Sequence, residues 1–502
     1  MKKLFILIML LFISSCASVE NPSDPVKPEK KVVQPVIAEI ITAYESNDLK
    51  KIKTFSNKDI ATQFFKFYNK KEYEKFLIFY NTNMKEALPS EKTINVFNSF
   101  YKTCGNLSDI GESEKVGKSA FFNIVKCKKG KNIKFSFYID DDNRLAGLWL
   151  TEPIQFPKIT EQTTVVDIAK AVTGKEGKAG IVIGTYLNGA EKTYAFGYNS
   201  IKEKTPVNKD MIFEIGSITK TFTAAIMLQL EAEGKLNVDD PIAKYLPENV
   251  KMPIYEGDDT QITFKHISSH TSGLPRMPSD FKEYEKDILN PYADYPVEAI
   301  YKFISNYKMI RKPGETYEYS NLAMGFLGNI LVKIDGKKNY EELIQERIFK
   351  PLGMISSTTE LSKVDKKLLA KPHNSGKEVK NWDLPSFAGA GAIKSNAHDM
   401  LKYIKALIEN THPKILPEKM FTELHLSEKD TYACFNWGKT HYPHGTRYGH
   451  RGATGGYSTH IHIDRENKAG VIILTNYTEN FENAARKILQ ILLKKYDEPG
   501  NE

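Results

Sequence analysis

The chain has 502 residues, more than one ordinary domain holds, which predicts two or three domains. Hydrophobic residues make up 41% and charged residues 26%, the balance of a soluble globular protein. The formal net charge of +8 comes mostly from lysines interleaved with Glu and Asp. With no basic stripe and no nucleic-acid motif this argues against nucleic-acid binding, while permitting a weak attraction to an anionic surface such as a bacterial envelope.

Lys2 and Lys3 precede an apolar run from Leu4 to Ile13, followed by Ser14, Ser15 and Cys16. A basic start, an apolar core of about ten residues and a small-residue cleavage site make a secretory signal, and the run is too short to span a membrane. The stretch Ile13-Ser14-Ser15-Cys16 resembles a bacterial lipobox. That resemblance implies that the Cys16 thiol receives a diacylglycerol and becomes the first residue after cleavage. Residues 1–15 are then a signal peptide, and the mature protein is exported and anchored by lipid to an envelope membrane, in the periplasm or at the cell surface. An ordinary signal peptide ending near a cysteine is the alternative. Removing Lys2 and Lys3 lowers the formal charge from +8 to about +6. Residues 16–35 are polar and proline-punctuated (NPSDPVKPEKKVVQP) and read as a disordered tether, on the order of 50 Å when extended.

Residues 36–155 predict a small α+β domain. Helical patterns come first, in ATQFFKFYNKKEYEKFLIFY and around Ile94-Asn95-Val96-Phe97. Strand-like runs follow: SAFFNIVKCKK, KNIKFSFYI and RLAGLWLTE, the last two joined by the polar turn Asp140-Asp141-Asp142-Asn143. Helices before an antiparallel meander resemble the cone-shaped fold of nuclear transport factor and its bacterial relatives. The Asp cluster lacks the glycine and distant glutamate of a calcium loop and reads as a solvated turn. Cys104 and Cys127 either pair in an oxidising compartment or remain two free thiols. Cys434 reads as a core or loop thiol, and no Cys-x-x-Cys spacing suggests zinc. The pattern assigns no catalysis to this domain.

Residues 160–496 predict the larger domain. GIVIGTYLNGAEKTYAFGYNS alternates on both sides of Asn188-Gly189, a two-residue hairpin signal. Helical stretches run from 217 to about 410; strands return in YSTHIHI and AGVIILTN, and an amphipathic helix closes the chain in ENFENAARKILQILLKKY. Strands at both ends with helices between them predict one antiparallel sheet with helices on its faces and an all-helical insertion.

At the head of one helix, Ser217-Ile218-Thr219-Lys220 sets a hydroxyl and an amine one turn apart on one face. A serine hydroxyl is a poor nucleophile until a base takes its proton, and backbone N–H groups at a helix start can receive a developing oxyanion. Alone, the pattern equally describes a capped helix with a solvated lysine. Three further motifs follow: His270-Thr271-Ser272-Gly273-Leu274-Pro275, Tyr319-Ser320-Asn321 and His450-Arg451-Gly452.

Together these motifs resemble the serine β-lactamase and penicillin-binding-protein superfamily, whose Ser-x-x-Lys signature is an established motif. The resemblance is to the branch of class C β-lactamases, D-alanyl-D-alanine carboxypeptidases and β-lactamase-like esterases. It is carried by FEIGSITKTFTA, LNVDDPIAKYLP, HISSHTSGLP, PGETYEYSNLAMGFLG, IFKPLGM, GAGAIKSNAHDM and GHRGATGGYS, in that order. It implies a β-lactamase/transpeptidase-like fold and an acyl-enzyme mechanism without metal or organic cofactor. It makes Ser217 the nucleophile and Lys220 the base, or the group that keeps a tyrosinate poised. Tyr319 then shuttles the proton, and Asn321 binds the substrate amide or the lysine. His450 stands at the substrate-binding position, the N–H groups of Ser217 and Ala453 form the oxyanion hole, and Gly452 lets substrate backbone approach. Singly, each has a bland alternative: a packing tyrosine, a helix cap at Asn321, a surface histidine.

One departure is chemical. Penicillin-recognising relatives carry Lys-Thr-Gly where this chain has His450-Arg451-Gly452, and an unperturbed histidine is mostly neutral at pH 7. Strand alternation turns Arg451 away from the face of His450. Efficient β-lactam hydrolysis is thereby in doubt, while acyl transfer is not. His266 and His270 read as structural. His460 and His462 share a strand face but lack a third metal ligand. Gly389 and Gly391 lie in a small-residue segment lining the family's pocket. The expected partner is a small-molecule or peptide acyl donor, such as a D-amino-acid peptide. The rival readings are a carboxylesterase of small esters and a non-catalytic binder of cell-wall fragments.

Overall fold

A computed structural model describes residues 37–495 apart from 109–110, 112–113, 116–119, 131, 141, 152–153, 155, 175–179, 429–430 and 479–480. The expected signal peptide, Cys16 and the tether lie outside the described residues. The chain divides into two compact units, Met1–Gln155 and Phe156–Glu502. No helix among the described residues is long and apolar enough to cross a membrane.

In the first unit, helices α1 (Ile37–Glu45), α2 (Asn57–Lys70) and α3 (Ser90–Cys104) precede strands β1 (Ala120–Cys127), β2 (Asn132–Ile139) and β3 (Leu145–Thr151). The strands form an antiparallel meander in sequence order. A capping box starts α2: Ser56 N donates to the Asp59 carboxylate at 2.8 Å and Asp59 N donates back to Ser56 Oγ at 3.2 Å. Alternation along β2 buries Ile133, Phe135 and Phe137. Their rings meet α2 edge-on, Phe65 to Phe135 at 4.9 Å and Phe64 to Phe137 at 5.3 Å. At the polar turn, Asp140 Oδ1 accepts from the backbone N–H of Asp142 and Arg144, and Asn143 takes the left-handed φ of 60°. Cys104 and Cys127, ending α3 and β1, form a disulfide, which the sequence left open. Two short strands that the pattern did not mark, Leu107–Ser108 and Glu114–Lys115, also pair with β1.

The second unit is built on an eight-stranded antiparallel sheet. Helix α4 (Val165–Thr173) leads into β4 (Ile181–Leu187) and β5 (Ala190–Phe196). Asn188 and Gly189 join these strands with φ of 48° and 90°, as a tight primed turn requires. Helices α5 (Thr219–Ala232), α6 (Val297–Asn306), α7 (Asn321–Ile334) and α8 (Ala397–Glu409) then form the insertion and one cover of the sheet. The chain returns in β6 (His425–Glu428), β7 (Thr431–Ala433), β8 (Gly438–Tyr442), β9 (Gly445–Ala453), β10 (Ser458–Asp464) and β11 (Ala469–Thr475), and ends in α9 (Glu482–Leu493). The spatial order is β6-β7-β8-β9-β10-β11-β4-β5, so the last strand pairs with the first, from Ala469 opposite Leu187 to Thr475 opposite Ile181. β11 is buried along its whole length because both faces are covered. Ile472 and Leu474 join the large core with Leu401 and Ile404 of α8. Alternation sends Val471 and Ile473 to the other face, where α9 packs. Strands β6 to β8 are short and polar and carry no alternating pattern to predict them.

Candidate active site

The nucleophile segment is pinned before it becomes a helix. Phe213 and Glu214 pair in a two-residue ladder with Ser395 and Lys394. Ile215 N donates to the Ile393 carbonyl at 2.9 Å, and Ile215 O accepts from Thr459 Oγ1 of β10 at 2.8 Å. Gly216 then turns with φ of 52° so close to β9 that a Cβ there would lie 2.7 Å from Ala453 N. Ser217 follows in a single 3₁₀ turn, and α5 begins at Thr219.

Lys220, in the first turn of α5, is fully buried. Its Nζ lies 3.0 Å from Ser217 Oγ, 2.9 Å from Asn321 Oδ1 and 2.6 Å from the Ala390 carbonyl oxygen. A solvated lysine is thereby ruled out. Asn321 is not the cap of α7: Ser320 holds that place, its Oγ accepting from Ala323 N at 2.9 Å and donating to Pro275 O at 2.7 Å. That leaves the Asn321 side chain for Lys220. The Ala390 carbonyl reaches Lys220 because Gly389 meets Gly328 of α7 backbone to backbone; a Cβ on Gly389 would lie 2.8 Å from Gly328 Cα.

Tyr319 is half-buried beside this cluster. Lys220 Nζ stands 4.9 Å and the Arg276 guanidinium 5.0 Å from its ring centre. His270 packs on it at 4.4 Å between ring centres, and the His450 ring is 6.5 Å away. His270 holds a left-handed φ of 59°, and its Nδ1 accepts from Ser320 N at 3.2 Å, so the neutral ring carries its proton on Nε2. Burial and the nearby charge of Lys220 hold His270 well below the usual histidine range. The Arg276 carbonyl accepts from Asn321 N at 3.0 Å and Leu322 N at 3.1 Å. The histidine motif thus orients the tyrosine–asparagine motif through its backbone as well as its rings.

On the strand side, Thr454 N donates to Tyr457 O at 3.1 Å and closes the β9–β10 hairpin. By alternation, the Ala453 N–H then points away from β10, toward Gly216 and the serine turn. Glycine at 452 has a packing reason beside the expected substrate approach. A Cβ there would stand 1.9 Å from Ile215 O and 2.4 Å from Thr459 Oγ1, so the residue answers to the nucleophile segment itself. Arg451 pairs across the ladder with His460, away from the face of His450, as alternation predicted. His460 is buried, and its Nε2 accepts from Phe481 N at 3.3 Å. His266 Nδ1 accepts from Thr263 N at the start of a short helix. Cys434 is buried, and burial pushes its thiol up to about 12.

The structure therefore joins Ser217, Lys220 and Asn321 by direct hydrogen bonds, sets Tyr319 and His450 around them, and brings the Ala453 amide alongside. Sequence reasoning missed the Ala390 carbonyl, Arg276 and Tyr292, whose hydroxyl lies against the Asn321 side chain. It also passed over Glu214, whose Oε1 accepts from Trp382 N at 2.8 Å and Asn381 Nδ2 at 2.9 Å. Only Arg276 carried a signal, standing directly after the HTSGLP motif. The others are generic in composition and distant in sequence. A serine oxygen hydrogen-bonded to a buried amine, in a turn packed against the Ala453 amide, is suited to nucleophilic acyl transfer.

A family model described as protein of unknown function (DUF3887) matches residues 61–148. A β-lactamase of Escherichia coli (strain K12) is 25% identical over 346 residues, 61% of this chain and 86% of that protein. The D-alanyl-D-alanine-carboxypeptidase/endopeptidase AmpH of the same strain is 29% identical over 218 residues, 42% of this chain and 54% of AmpH. Beta-lactamase-like protein 2 of Dictyostelium discoideum is 32% identical over 246 residues, 46% of this chain and 42% of that protein. The chain thus spans about half the length of the last two relatives. Among solved structures, the octameric penicillin-binding protein homologue from Pyrococcus abyssi superposes with a TM-score of 0.58 at 26% identity, covering 66% of this chain and 78% of that one. A β-lactamase/D-alanine carboxypeptidase from Yersinia pestis complexed with citrate shares the fold, with a TM-score of 0.56 at 24% identity over 64% of this chain and 94% of that one. A family model described as Beta-lactamase matches residues 165–495, the span that contains the whole site, and the chain belongs to the β-lactamase family.

Proposed function

We propose that the protein is an exported, lipid-anchored serine hydrolase that forms an acyl-enzyme on Ser217 from an amide or ester donor. The observation that carries this reading is the surroundings of Lys220 Nζ. Asn321 Oδ1 and the Ala390 carbonyl only accept through those oxygens, so they take two N–H bonds of the amine. The third direction faces Ser217 Oγ, and in the neutral amine it is the lone pair that receives the serine proton.

In the reaction, Ser217 Oγ bonds to the acyl carbon while its proton passes to Lys220 or to a Tyr319 phenolate. The carbonyl oxygen takes the negative charge between the amides of Ser217 and Ala453. Tyr319 returns the proton to the leaving nitrogen or oxygen as the bond to the acyl carbon breaks. A water molecule repeats the sequence and frees the serine. A D-amino-acid peptide fits the likeness to AmpH, a D-alanyl-D-alanine-carboxypeptidase/endopeptidase. The carboxylesterase reading is favoured by the neutral His450, which offers no cation to a carboxylate-bearing substrate. The intact Ser217, Lys220 and Tyr319 set argues against a purely binding role.

Intact mass spectrometry with a panel of β-lactams, activated esters and a fluorophosphonate tests the reading. One adduct per chain is expected, mapped to Ser217 and absent in Ser217→Ala. An adduct that persists in the variant removes Ser217 from the mechanism. Lipid on Cys16 is checked in the same way, as a diacylglycerol mass on the N-terminal peptide of membrane-extracted protein.

A further inference from the structure

Position 450 decides what the cleft accepts beside the nucleophile. The pairing of β8 with β9 ends at Gly438 opposite Gly449, so residues 450–453 of β9 continue past the ladder on that edge. The closing pair Thr454–Tyr457 fixes the alternation, which turns the N–H and C=O of Arg451 toward that edge. The His450 side chain lies along it, with Nδ1 2.8 Å from the Arg451 carbonyl oxygen. A carbonyl only accepts, so Nδ1 carries the hydrogen. In the neutral ring the other nitrogen, Nε2, is then a bare lone pair on the edge farther from the backbone.

The ring is neutral in the working range. Burial, and then the charge of Lys220, push the His450 imidazole down to about 3. The titratable groups facing it are Lys220, Tyr319 and His270 from the helical side, while His460 and His462 of β10 act on it from the other strand face. Arg451 is on the other strand face with His460, under the chain entering α9, and supplies no charge here.

We propose that Nε2 of His450 is a hydrogen-bond acceptor subsite, which selects acyl donors presenting an N–H or O–H group there and disfavours those presenting a carboxylate. The inference rests on Ser217 being the nucleophile and names the substrate class of that site. A donor group gains a hydrogen bond, whereas a carboxylate meets a lone pair and leaves both acceptors unpaired.

Two matched probes test it: 3-carbamoylphenyl and 3-carboxyphenyl phenylacetate, with acylation of Ser217 followed by mass. The carbamoyl ester is expected to react about tenfold faster with the wild-type protein. In His450→Lys, which places an ammonium at the same position, the order reverses. Equal rates in the wild type, or faster reaction of the carboxylate, overturn the proposal. The tautomer is read without any acylation, by ¹⁵N NMR of the imidazoles at pH 7 with the His450 signals assigned through His450→Gln. A proton on Nδ1 and a bare Nε2 are expected, and a protonated Nε2 overturns the proposal. Absence of any adduct from either ester would instead count against the hydrolase reading, so the two failures are distinguishable.

Discussion

Lys220 organises the site because it is buried with two carbonyl oxygens, Asn321 Oδ1 and Ala390 O, that accept from it beside Ser217 Oγ. Lys220→Met keeps the bulk but leaves Asn321 Oδ1 and the Ala390 carbonyl without their donor. Each such loss costs about 1–3 kcal/mol. The expected result is folded protein with a lower urea midpoint and acylation of Ser217 slowed by about 10³-fold or more, read by stopped-time mass spectrometry. A variant that acylates at the wild-type rate would remove the lysine from the proton path. Gly452 makes a separate point. Gly452→Ala drives a Cβ into the Ile215 carbonyl at 1.9 Å, which only backbone movement relieves. A stability loss of about 3 kcal/mol is expected, with a matching loss of activity, since Ile215 leads directly into the serine turn. A stable but less active Gly452→Ala would leave substrate approach as the reason for the glycine.

At the scale of elements, the site is assembled where helix starts meet the sheet edge. α5 starts at the serine turn, and α7 starts at Ser320 between Tyr319 and Asn321. The Ser320 hydroxyl both caps α7 and ties it to the Pro275 carbonyl of the histidine motif. Ser320→Ala removes both bonds and is expected to cost about 1–2 kcal/mol of stability. Acylation is expected to fall more than Ser320's distance from the chemistry suggests, because the flanking Tyr319 and Asn321 lose their fixed start. Equal acylation rates in the variant and the wild type would show that the backbone bonds from Arg276 suffice. The elements themselves were legible where one period dominates: β4 and β5 around Asn188-Gly189, β10, β11 and α9. Strands β6 to β8 were not, because their residues are held by neighbouring strands rather than by a buried face of their own.

Among the described residues, burial lowers the pKa of six histidines: His266, His270, His373, His450, His460 and His462. The unfolded chain protonates them near 6.5, whereas in the fold His450 and His462 hold out to about 3. Between those values the unfolded state binds more protons, so stability is full above about 6.5 and is lost as pH falls. His450 and His462 each contribute up to about 2 kcal/mol of this loss by pH 5. Buried Glu214 works in the opposite sense: burial, opposed by Lys394, raises its carboxyl and favours the protonated fold on acidification. Urea midpoints measured at pH 7 and pH 5 should fall by the net of these effects; an unchanged or higher midpoint at pH 5 contradicts the neutral-histidine assignment.

The order of motifs along the chain by itself determined the fold class, the serine and its lysine, and the tyrosine, asparagine and histidine that surround them. It did so through the family that those motifs resemble; spacing alone sets only one helical turn from Ser217 to Lys220 and strand alternation from His450 to Arg451. Only the tertiary structure decided why Gly452 is glycine, which carbonyl holds Lys220, and which nitrogen of His450 carries a proton. Those are contacts between segments far apart in sequence, from Ile215 to Gly452 or Lys220 to Ala390, or a single hydrogen bond to a carbonyl whose direction depends on strand pairing. No local pattern encodes them, because the energy that fixes each belongs to the packed whole.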